Sequence, residues 1–597
     1  MPAKPAAAHK QTMKNSHSSK VRRCLAAFIC LLVGLAILGP ASAAAQLNMW
    51  FTNTSSYAAS DIWITIQRGQ TATTDVTQLS NRPAVTYGSA FTSFNWQMYS
   101  NAPGTVWVPG TYGNLFSETV SFADTIATDG SGRGLLTWSS NAAGAAVYIS
   151  YGTSFIGGTA ALSNNYTVSG VSPNNPSDPN YRVAYQPFEI TYGTGANGAP
   201  APGDQGDLTA INSFTAALQI QSFTNTNATG TVLQQVGFNQ TGPQIGASLT
   251  SITAGNPVPN GGVEGNAGGP AVITNGSGDV IRVLGPSTFG VSPTAGWGYG
   301  AYGNFDSYLA GAGSSSAIFS NNSAYNTIPI PGPSSTYTNK SVSFAFSNSV
   351  TNTANGYALN PTGTITVVTT AYTNGAVDGA PTTNTYSNIV FNVSPTAQGG
   401  SGANVISNIT SQFIYGGSFT AFNGGIFTNE NGTPATYSWF EGGDWNSFTS
   451  NMAGFVDGGN TNGVLDVTAQ IAGEIATGFA AGFVGSATYG NLPSDQWWAL
   501  DPTNAFSGAT ANSNNYNRYA AVIAEASSNT VYGMVYSDRF TEASPLINSY
   551  QLNGTNIGSW LVTVGDPITA VPEPSTYALL AMAGAVLAGY MLRRKRR

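Results

Sequence analysis

The sequence predicts a mainly β protein set between an export signal and a membrane-spanning tail. Short runs of Val, Ile, Phe, Tyr and Trp alternate with stretches rich in Gly, Asn, Ser and Thr, a pattern typical of many strands joined by turns. Each end of the chain carries an apolar segment that lies beside basic residues. Aromatic residues make up 11% of the chain, whereas chains that stay disordered are poor in them, so we expect a folded body.

The first 43 residues have the three parts of a secretory signal peptide. Six Lys and Arg residues precede an apolar run from Leu25 to Leu38, and the small residues Ala41, Ser42 and Ala43 follow it. The alternative, a retained membrane anchor, is disfavoured because the apolar run of 14 residues is shorter than the ~20 that cross a bilayer. We therefore expect signal peptidase to cut after Ala43 or Ala45, and the body to be exported.

Residues 44–570 form the body, with a β core expected over about 44–225 and further β structure, with a smaller lobe, over about 276–570. Residues 61–67 place three isoleucines on one face of a predicted strand, and residues 363–368 predict another strand.

Two segments of the body do not follow the strand pattern. Residues 465–484 carry Ile471, Ile475 and Phe479 at four-residue spacing among alanines, which predicts a mostly buried helix. Residues from about 225 to 275 are rich in Gly, Asn and Pro, and they predict a long loop or a connection between lobes.

The C-terminal segment, residues 571–597, contains Pro572-Glu573-Pro574, then an uncharged apolar stretch over 576–592, then five consecutive basic residues. The apolar stretch predicts a transmembrane helix whose basic end stays in the cytoplasm. An ordinary tail anchor is the alternative. The order of the three parts resembles the PEP-CTERM sorting tail, also called the ice-binding protein C-terminal motif, a name that says nothing about ice. The resemblance implies processing by an exosortase, transient anchoring in the inner membrane, and a final place in the cell envelope or outside the cell.

Composition excludes several kinds of chemistry from the body. Its sequence has no His or Cys, since His9, His17, Cys24 and Cys30 all lie in the signal peptide. Disulfides, thiol nucleophiles, Ser-His-Asp triads and zinc sites of the usual ligands are therefore excluded, and no metal or cofactor is expected. Between residues 44 and 570, eight Lys and Arg face 25 Asp and Glu, a net charge of −17. This charge disfavours nucleic acid as a partner but is compatible with neutral sugars.

Acid–base chemistry in this body must come from carboxylates, and hydrolysis of a glycosidic bond needs only a pair of them. The densest candidates are Glu189, Asp204 and Asp207, although acidic residues near turns are usually just solvated. Trp497 and Trp498 lie in a polar neighbourhood where their rings could stack on sugars, or could simply pack in the core.

Several segments, in order, resemble the β-1,3-glucanases of glycoside hydrolase family 64, which are relatives of thaumatin-like proteins. Phe188-Glu189-Ile190-Thr191 is similar to a Phe-Glu-Phe-Thr strand of that family. The further similar segments are Thr209 to Phe214, Ile281 to Pro286, Asn304 to Leu309, and Asn517 to Asp538. The resemblance implies a thaumatin-like β-sandwich or barrel core, a smaller mixed α/β lobe, and a cleft that takes β-1,3-glucan.

The resemblance also implies an inverting mechanism with a Glu acid and an Asp base. The acid falls on Glu189 and the base position falls on Asn212, whose amide cannot accept a proton from water. Asp207 could replace the missing base. Ala146, Ala524 and Ser537 also depart from the family, at positions where Arg, His and Asp are usual.

Three functions therefore stay open from the sequence. The leading hypothesis is hydrolysis or binding of extracellular β-1,3-glucan, with Glu189 and Asp207 as the catalytic pair and with Asp204, Asn212, Trp497 and Trp498 contacting the sugar. The second is a non-catalytic carbohydrate-binding or matrix protein on the same scaffold. The third is a structural β protein without a ligand.

Overall fold

A computed structural model gives the fold. It describes the following residues: 47–69, 85–93, 97–100, 108–109, 115–138, 142–154, 180–192, 205–253, 271–288, 302, 305, 308, 318–321, 336–347, 350–353, 356–359, 362–373, 376–391, 414–415, 440–441, 443–452, 476–484, 506, 516–534, 546–548 and 557–569.

The strands of the first half of the chain are β1 Leu47–Asn53, β2 Ile62–Gly69, β3 Val85–Tyr87, β4 Thr92–Ser93, β5 Gln97–Ser100, β6 Val108–Pro109, β7 Leu115–Ser121, β8 Gly134–Trp138, β9 Ala142–Tyr151, β10 Ala184–Tyr192, β11 Gln205–Leu208, β12 Ser213–Phe214, β13 Ala216–Phe223, β14 Gln234–Gly237, β15 Val272–Thr274 and β16 Val280–Leu284. Those of the second half are β17 Ile318–Asn321, β18 Thr336–Ser347, β19 Val350–Thr353, β20 Gly356–Leu359, β21 Thr362–Thr373, β22 Ala376–Val377, β23 Thr382–Phe391, β24 Phe440–Glu441, β25 Leu546–Asn548 and β26 Ser559–Pro567.

The helices with described bounds are α1 Phe122–Thr125, α2 Gly242–Thr253, α3 Trp445–Met452 and α4 Arg518–Ser527, with 3-10 turns at Ala59–Asp61 and Pro286–Thr288. None of the helices within the described residues is both long enough and apolar enough to cross a membrane.

Two large sheets contain strands of the first part of the chain together with its last two strands, β25 and β26. One has seven strands in the order β14-β13-β26-β1-β8-β3-β4, and the other has eight in the order β25-β11-β10-β9-β2-β7-β5-β6. Buried side chains of both sheets, among them Phe51, Ile64, Val147, Ile220 and Val562, belong to one hydrophobic cluster. The sheets therefore share a core, as the faces of a sandwich do.

The predicted mainly β class is confirmed, and the body contains several sheets. Among the described strands each sheet is an open path, so the barrel that was one of the two predicted forms of the core does not occur there. Smaller sheets of three strands (β12-β16-β15), six strands (β17-β18-β21-β23-β24, with β22 beside β21) and two strands (β19-β20) complete the described part.

Alternating side chains explain why the predicted strands form. Ile62, Ile64 and Ile66 of β2 are all fully buried, and the strand pairs with β7 on one side and β9 on the other. In β21, which includes the predicted strand 363–368, Ile365 and Val367 are fully buried and the residues beside them are partly exposed. Both strand predictions are confirmed.

The loop predicted for residues 225–275 is wrong where the described residues form a strand or a helix, and residues 254–270 lie outside the described part. Residues 234–237 form β14, and Gly242–Thr253 form α2, which buries one face against β26. The glycines of α2 permit close packing: a Cβ at Gly242 would lie 1.9 Å from the carbonyl oxygen of Asp566, and one at Gly246 would lie 2.6 Å from Cγ2 of Ile568. The glycines of α2 therefore allow a close contact with residues 566–568, whereas the glycine content of the sequence predicted a loop.

The helix predicted for residues 465–484 lies partly outside the described residues. Within the described part, residues 476–480 are helical and residues 476–484 are all buried, among them Phe479 and Val484. The signal peptide 1–43 and the tail 571–597 lie outside the described residues.

Candidate active site

Glu189 and Asp207 lie directly opposite each other on neighbouring antiparallel strands. Glu189 is on β10 and Asp207 is on β11, and the two are register partners. Glu189 is exposed and Asp207 is half-buried. Because side chains alternate along a strand, their neighbours Phe188 and Leu208 point the other way, into the core, where both are buried. The strand pattern therefore places both carboxylates on the outer face of the eight-stranded sheet.

Register partners of this kind have Cβ atoms about 4.5–5.5 Å apart. From that spacing, rotamer choice allows the two carboxyls to reach either the ~5–5.5 Å of retaining glycosidases or the ~6.5–9.5 Å of inverting ones. On its other side, Glu189 is paired with Ala146 of β9. The strand neighbours of Glu189 are therefore one carboxylate and one uncharged methyl group.

Asn212 lies on the bend that follows β11, and its side chain is exposed. Its Oδ1 accepts a hydrogen bond from the Ser287 hydroxyl at 3.2 Å, and its carbonyl oxygen accepts one from the Gly285 amide at 2.8 Å. A Cβ at Gly285 would lie 2.1 Å from the Ile211 carbonyl oxygen, so this close approach requires glycine. The turn at Pro286–Thr288 thus fixes where the Asn212 amide stands.

Gln186 joins this bend to the strand that carries Glu189. Its side chain is 1% exposed, its Nε2 donates to the Thr209 carbonyl at 2.9 Å, and its Oε1 accepts from the Thr215 amide at 2.9 Å. The two hydrogen bonds hold both ends of the bend around Asn212 against β10. Sequence analysis missed Gln186, although a polar residue in step with Phe188 on the core-facing side of a predicted strand was a usable signal.

Buried tyrosines form hydrogen bonds to backbone carbonyls of the bend and of the strand β16 beside it. The Tyr519 hydroxyl, on α4, donates to the Ala210 carbonyl at 2.7 Å, and the Tyr302 hydroxyl donates to the Leu284 carbonyl. Tyr415 donates to the Tyr302 carbonyl at 3.1 Å. Burial raises the pKa of all three phenols well above the usual value, so they stay protonated donors at neutral pH.

Of the other predicted site residues, Asp204, Trp497 and Trp498 lie outside the described residues, as do Pro572, Glu573, Pro574 and Ser537. Ala524, on α4, is buried, so this position faces the core. The structure thus brings Glu189 and Asp207 together and links Asn212 to them through Gln186. Nowhere in the described ranges do three or more Asp or Glu side chains gather as ligands for a metal ion.

Comparison with known proteins identifies the tail. Residues 570–597 match the PEP-CTERM protein-sorting motif, which includes the predicted Pro572-Glu573-Pro574 and the apolar stretch after it. No curated protein matches the chain by sequence. The motif implies export and exosortase-dependent sorting to the cell envelope.

Among solved structures, the chain is similar to a β-1,3-glucanase domain of glycoside hydrolase family 64 from Clostridium beijerinckii, with 14% identity, a TM-score of 0.40, and coverage of 87% of this chain and 98% of that chain. A laminaripentaose-producing β-1,3-glucanase in complex with laminaritetraose gives 14% identity, a TM-score of 0.40, and 87% and 99% coverage. A family 64 laminaripentaose-producing β-1,3-glucanase from Paenibacillus barengoltzii gives 12% identity, a TM-score of 0.36, and 89% and 78% coverage. A likeness at these values says nothing about the activity of this chain.

Proposed function

We propose that this chain is an exported, exosortase-sorted protein whose body hydrolyses or binds β-1,3-glucan outside the cell, with Glu189 and Asp207 as the acid–base pair. The observation that carries the proposal is the direct opposition of these two carboxylates on the outer face of a sheet. The family 64 resemblance of the segments around them suggests the substrate and a thaumatin-like sandwich with a smaller mixed lobe.

In the proposed reaction, protonated Glu189 donates its proton to the glycosidic oxygen, and ionised Asp207 accepts a proton from the attacking water. Two like charges directly opposite on a sheet repel each other, which favours a state in which the pair shares one proton. The Asn212 amide, held by Ser287, would contact a sugar hydroxyl or the water. Asp204, Trp497 and Trp498 remain proposed sugar contacts.

The test is release of reducing sugar from laminarin and curdlan by the purified full-length protein in mild detergent. Glu189→Gln and Asp207→Asn should each lower the rate about 10²–10⁴-fold, the usual contribution of a general acid or base. Glu525→Gln on α4 and Asp124→Asn on α1 are matched controls, because both side chains are exposed. Loss of activity in the controls, or full activity in both site variants, would exclude the pair.

A second function, binding without cleavage, is favoured by Asn212, since this amide stands at the position where the resemblance implies the base. In that case no sugar is released, and the wild-type protein is retained on insoluble curdlan. Retention should weaken in Glu189→Gln and Asn212→Ala, and it should not weaken in Glu525→Gln.

We further propose that the body is anchored transiently in the inner membrane through residues 576–592 and is released when exosortase cuts near Pro572-Glu573-Pro574. Replacing Glu573 and both prolines by alanine should leave the full-length protein in the membrane fraction, where immunoblotting detects it. A released protein of unchanged size and amount would contradict this.

A further inference from the structure

Arg282 is a charged side chain that is completely buried. It lies on β16, is 0% exposed, and has its guanidinium carbon 4.3 Å from the ring centre of Tyr185. Nη2 donates to the Tyr181 carbonyl. The buried Nε and Nη1 make no hydrogen bond. A guanidinium keeps its positive charge in proteins, so this burial places a cation with two unused donor groups inside the protein.

Ser150 supplies a third donor beside the same ring. It is the register partner of Tyr185 across β9 and β10, so the two side chains share one face of the sheet. Ser150 is 0% exposed, and its hydroxyl also makes no hydrogen bond. Tyr148 and Val183 pack with Tyr185 in a small hydrophobic cluster of their own. Unused donors on a guanidinium and a hydroxyl therefore lie around one aromatic ring in an apolar setting.

Arg133 is a second guanidinium stacked on an aromatic ring, and unlike Arg282 it has a carboxylate beside it. Arg133 lies 4.4 Å above Trp50, almost the same distance as Arg282 above Tyr185. It is only partly buried, its Nη2 lies 3.9 Å from the Asp129 carboxylate, and its Nη1 donates to the Asn227 carbonyl at 3.1 Å. Within the described part of the chain, no carboxylate forms an ion pair with Arg282.

A buried charge without a counter-charge is strongly destabilising, and a site composed of hydrogen-bond donors is complementary to an acceptor that carries negative charge. We propose that Arg282 and Ser150 bind a small anion, of the size of chloride or formate, between the three-stranded and eight-stranded sheets. The apolar surroundings strengthen the interaction, because charges attract more strongly at low dielectric. The net charge of −17 on the body means that overall charge repels anions, so binding depends on these local donors.

The test is the thermal unfolding midpoint of the purified full-length protein, titrated with chloride or with formate. Ionic strength is held constant with isethionate, a sulfonate too bulky for a site of this size. A ligand that binds only the folded state stabilises it once its concentration exceeds Kd. The midpoint should therefore rise with the logarithm of the anion concentration once this exceeds Kd, by roughly 2–4 °C, and the arm in which the rise begins at lower concentration identifies the better-fitting anion.

Arg282→Met should abolish the rise, and in Ser150→Ala the rise should begin at higher anion concentration. Arg133→Met is the matched control and should keep the wild-type response. Equal midpoints of the wild-type protein in all three salts would overturn the proposal, and so would an unchanged response in Arg282→Met. Should Arg282→Met not fold, an unchanged response in Ser150→Ala would overturn it equally.

Discussion

The side chain of Asn212 carries no charge, so it cannot take a proton from water as a carboxylate does. An Asp at this position would receive the same hydrogen bond from the Ser287 hydroxyl, now 3.2 Å from Oδ1. If the body binds glucan without cleavage because the base position holds Asn212, Asn212→Asp should release sugar from laminarin about 10²–10⁴-fold faster than the wild type, the usual contribution of a general base. Asn239→Asp is the control, because this exposed amide also bonds a serine hydroxyl, that of Ser528. Equal rates for wild type and Asn212→Asp would mean that Asn212 does not occupy a base position.

Gln186 has a structural role that can be measured by itself. Gln186→Met keeps the length of the side chain, but it leaves the Thr209 carbonyl and the Thr215 amide without their partner. Because each buried polar group left unsatisfied costs about 1–3 kcal/mol, the free energy of unfolding should fall by about 2–5 kcal/mol. Urea titration measures it. Gln221→Met, which removes an exposed hydrogen bond to Gln235, should change it by less than about 0.5 kcal/mol. Similar losses in both variants would show that Gln186 does not act as a clamp.

The sequence predicts that the two carboxylates lie close together, but it does not predict the hydrogen bonds of the residues around them. Glu189 and Asp207 lie 18 positions apart in the sequence, on neighbouring strands, so strand pairing alone brings them together. Their catalytic roles stay a prediction. The contact of Asn212 with Ser287 joins residues 75 positions apart, and no local pattern encodes such a pairing.

Helix α2 was not predicted, because its glycines are explained by a contact with a distant strand. Its buried residues Gly242, Ile245, Gly246, Leu249 and Thr253 recur at helical spacing. The high glycine content nevertheless favoured a loop, because glycine lowers helix propensity by about 1 kcal/mol. The reason for the glycines is β26, more than 300 residues away, whose last residues pass directly against them.

Gly242→Ala should therefore destabilise the protein, although alanine is the better helix former. The new methyl group would meet the backbone oxygen of Asp566, which a side-chain rotation cannot move aside. Overpacking of this kind costs about 1–3 kcal/mol. Gly276→Ala, where the added atom has nothing within 4 Å, should be neutral within about 0.5 kcal/mol. Denaturant unfolding of the two variants compares them, and a stabilised Gly242→Ala would show that the contact is not tight.

At the scale of the whole molecule, the two ends of the body form one sheet. β26 inserts between β1 and β13, pairing in parallel with the first and antiparallel with the second. Alternation of apolar residues predicts the strands within β2 and β21, but it carries no information about which strands pair, and β26 lies some 510 residues beyond its partner β1. The β class was therefore predictable, and the order of strands in the sheets was not. A body closed in this way needs its last strand to complete its core.

Buried phenols that bond backbone carbonyls make the stability of the body sensitive to alkaline pH. The pKa of Tyr302, Tyr415 and Tyr519 is raised in the folded state by burial, whereas unfolded tyrosine has a pKa of about 10. Below about pH 10 both states keep these protons, and the stabilisation is complete. Above it, only the unfolded state releases them, so the free energy of unfolding should fall by up to about 1.4 kcal/mol per pH unit for each tyrosine.

Urea titrations at pH 8, 10 and 11 measure this dependence. Tyr519→Phe should be less stable at pH 8, because it loses the hydrogen bond to the Ala210 carbonyl, yet its stability should fall less steeply between pH 10 and 11, since one titrating phenol has been removed. The two effects have opposite signs in one variant, so a general loss of stability cannot imitate them. An equal slope in wild type and Tyr519→Phe would mean that Tyr519 titrates alike in the folded and unfolded states, and that the phenol behind the bend is accessible to water.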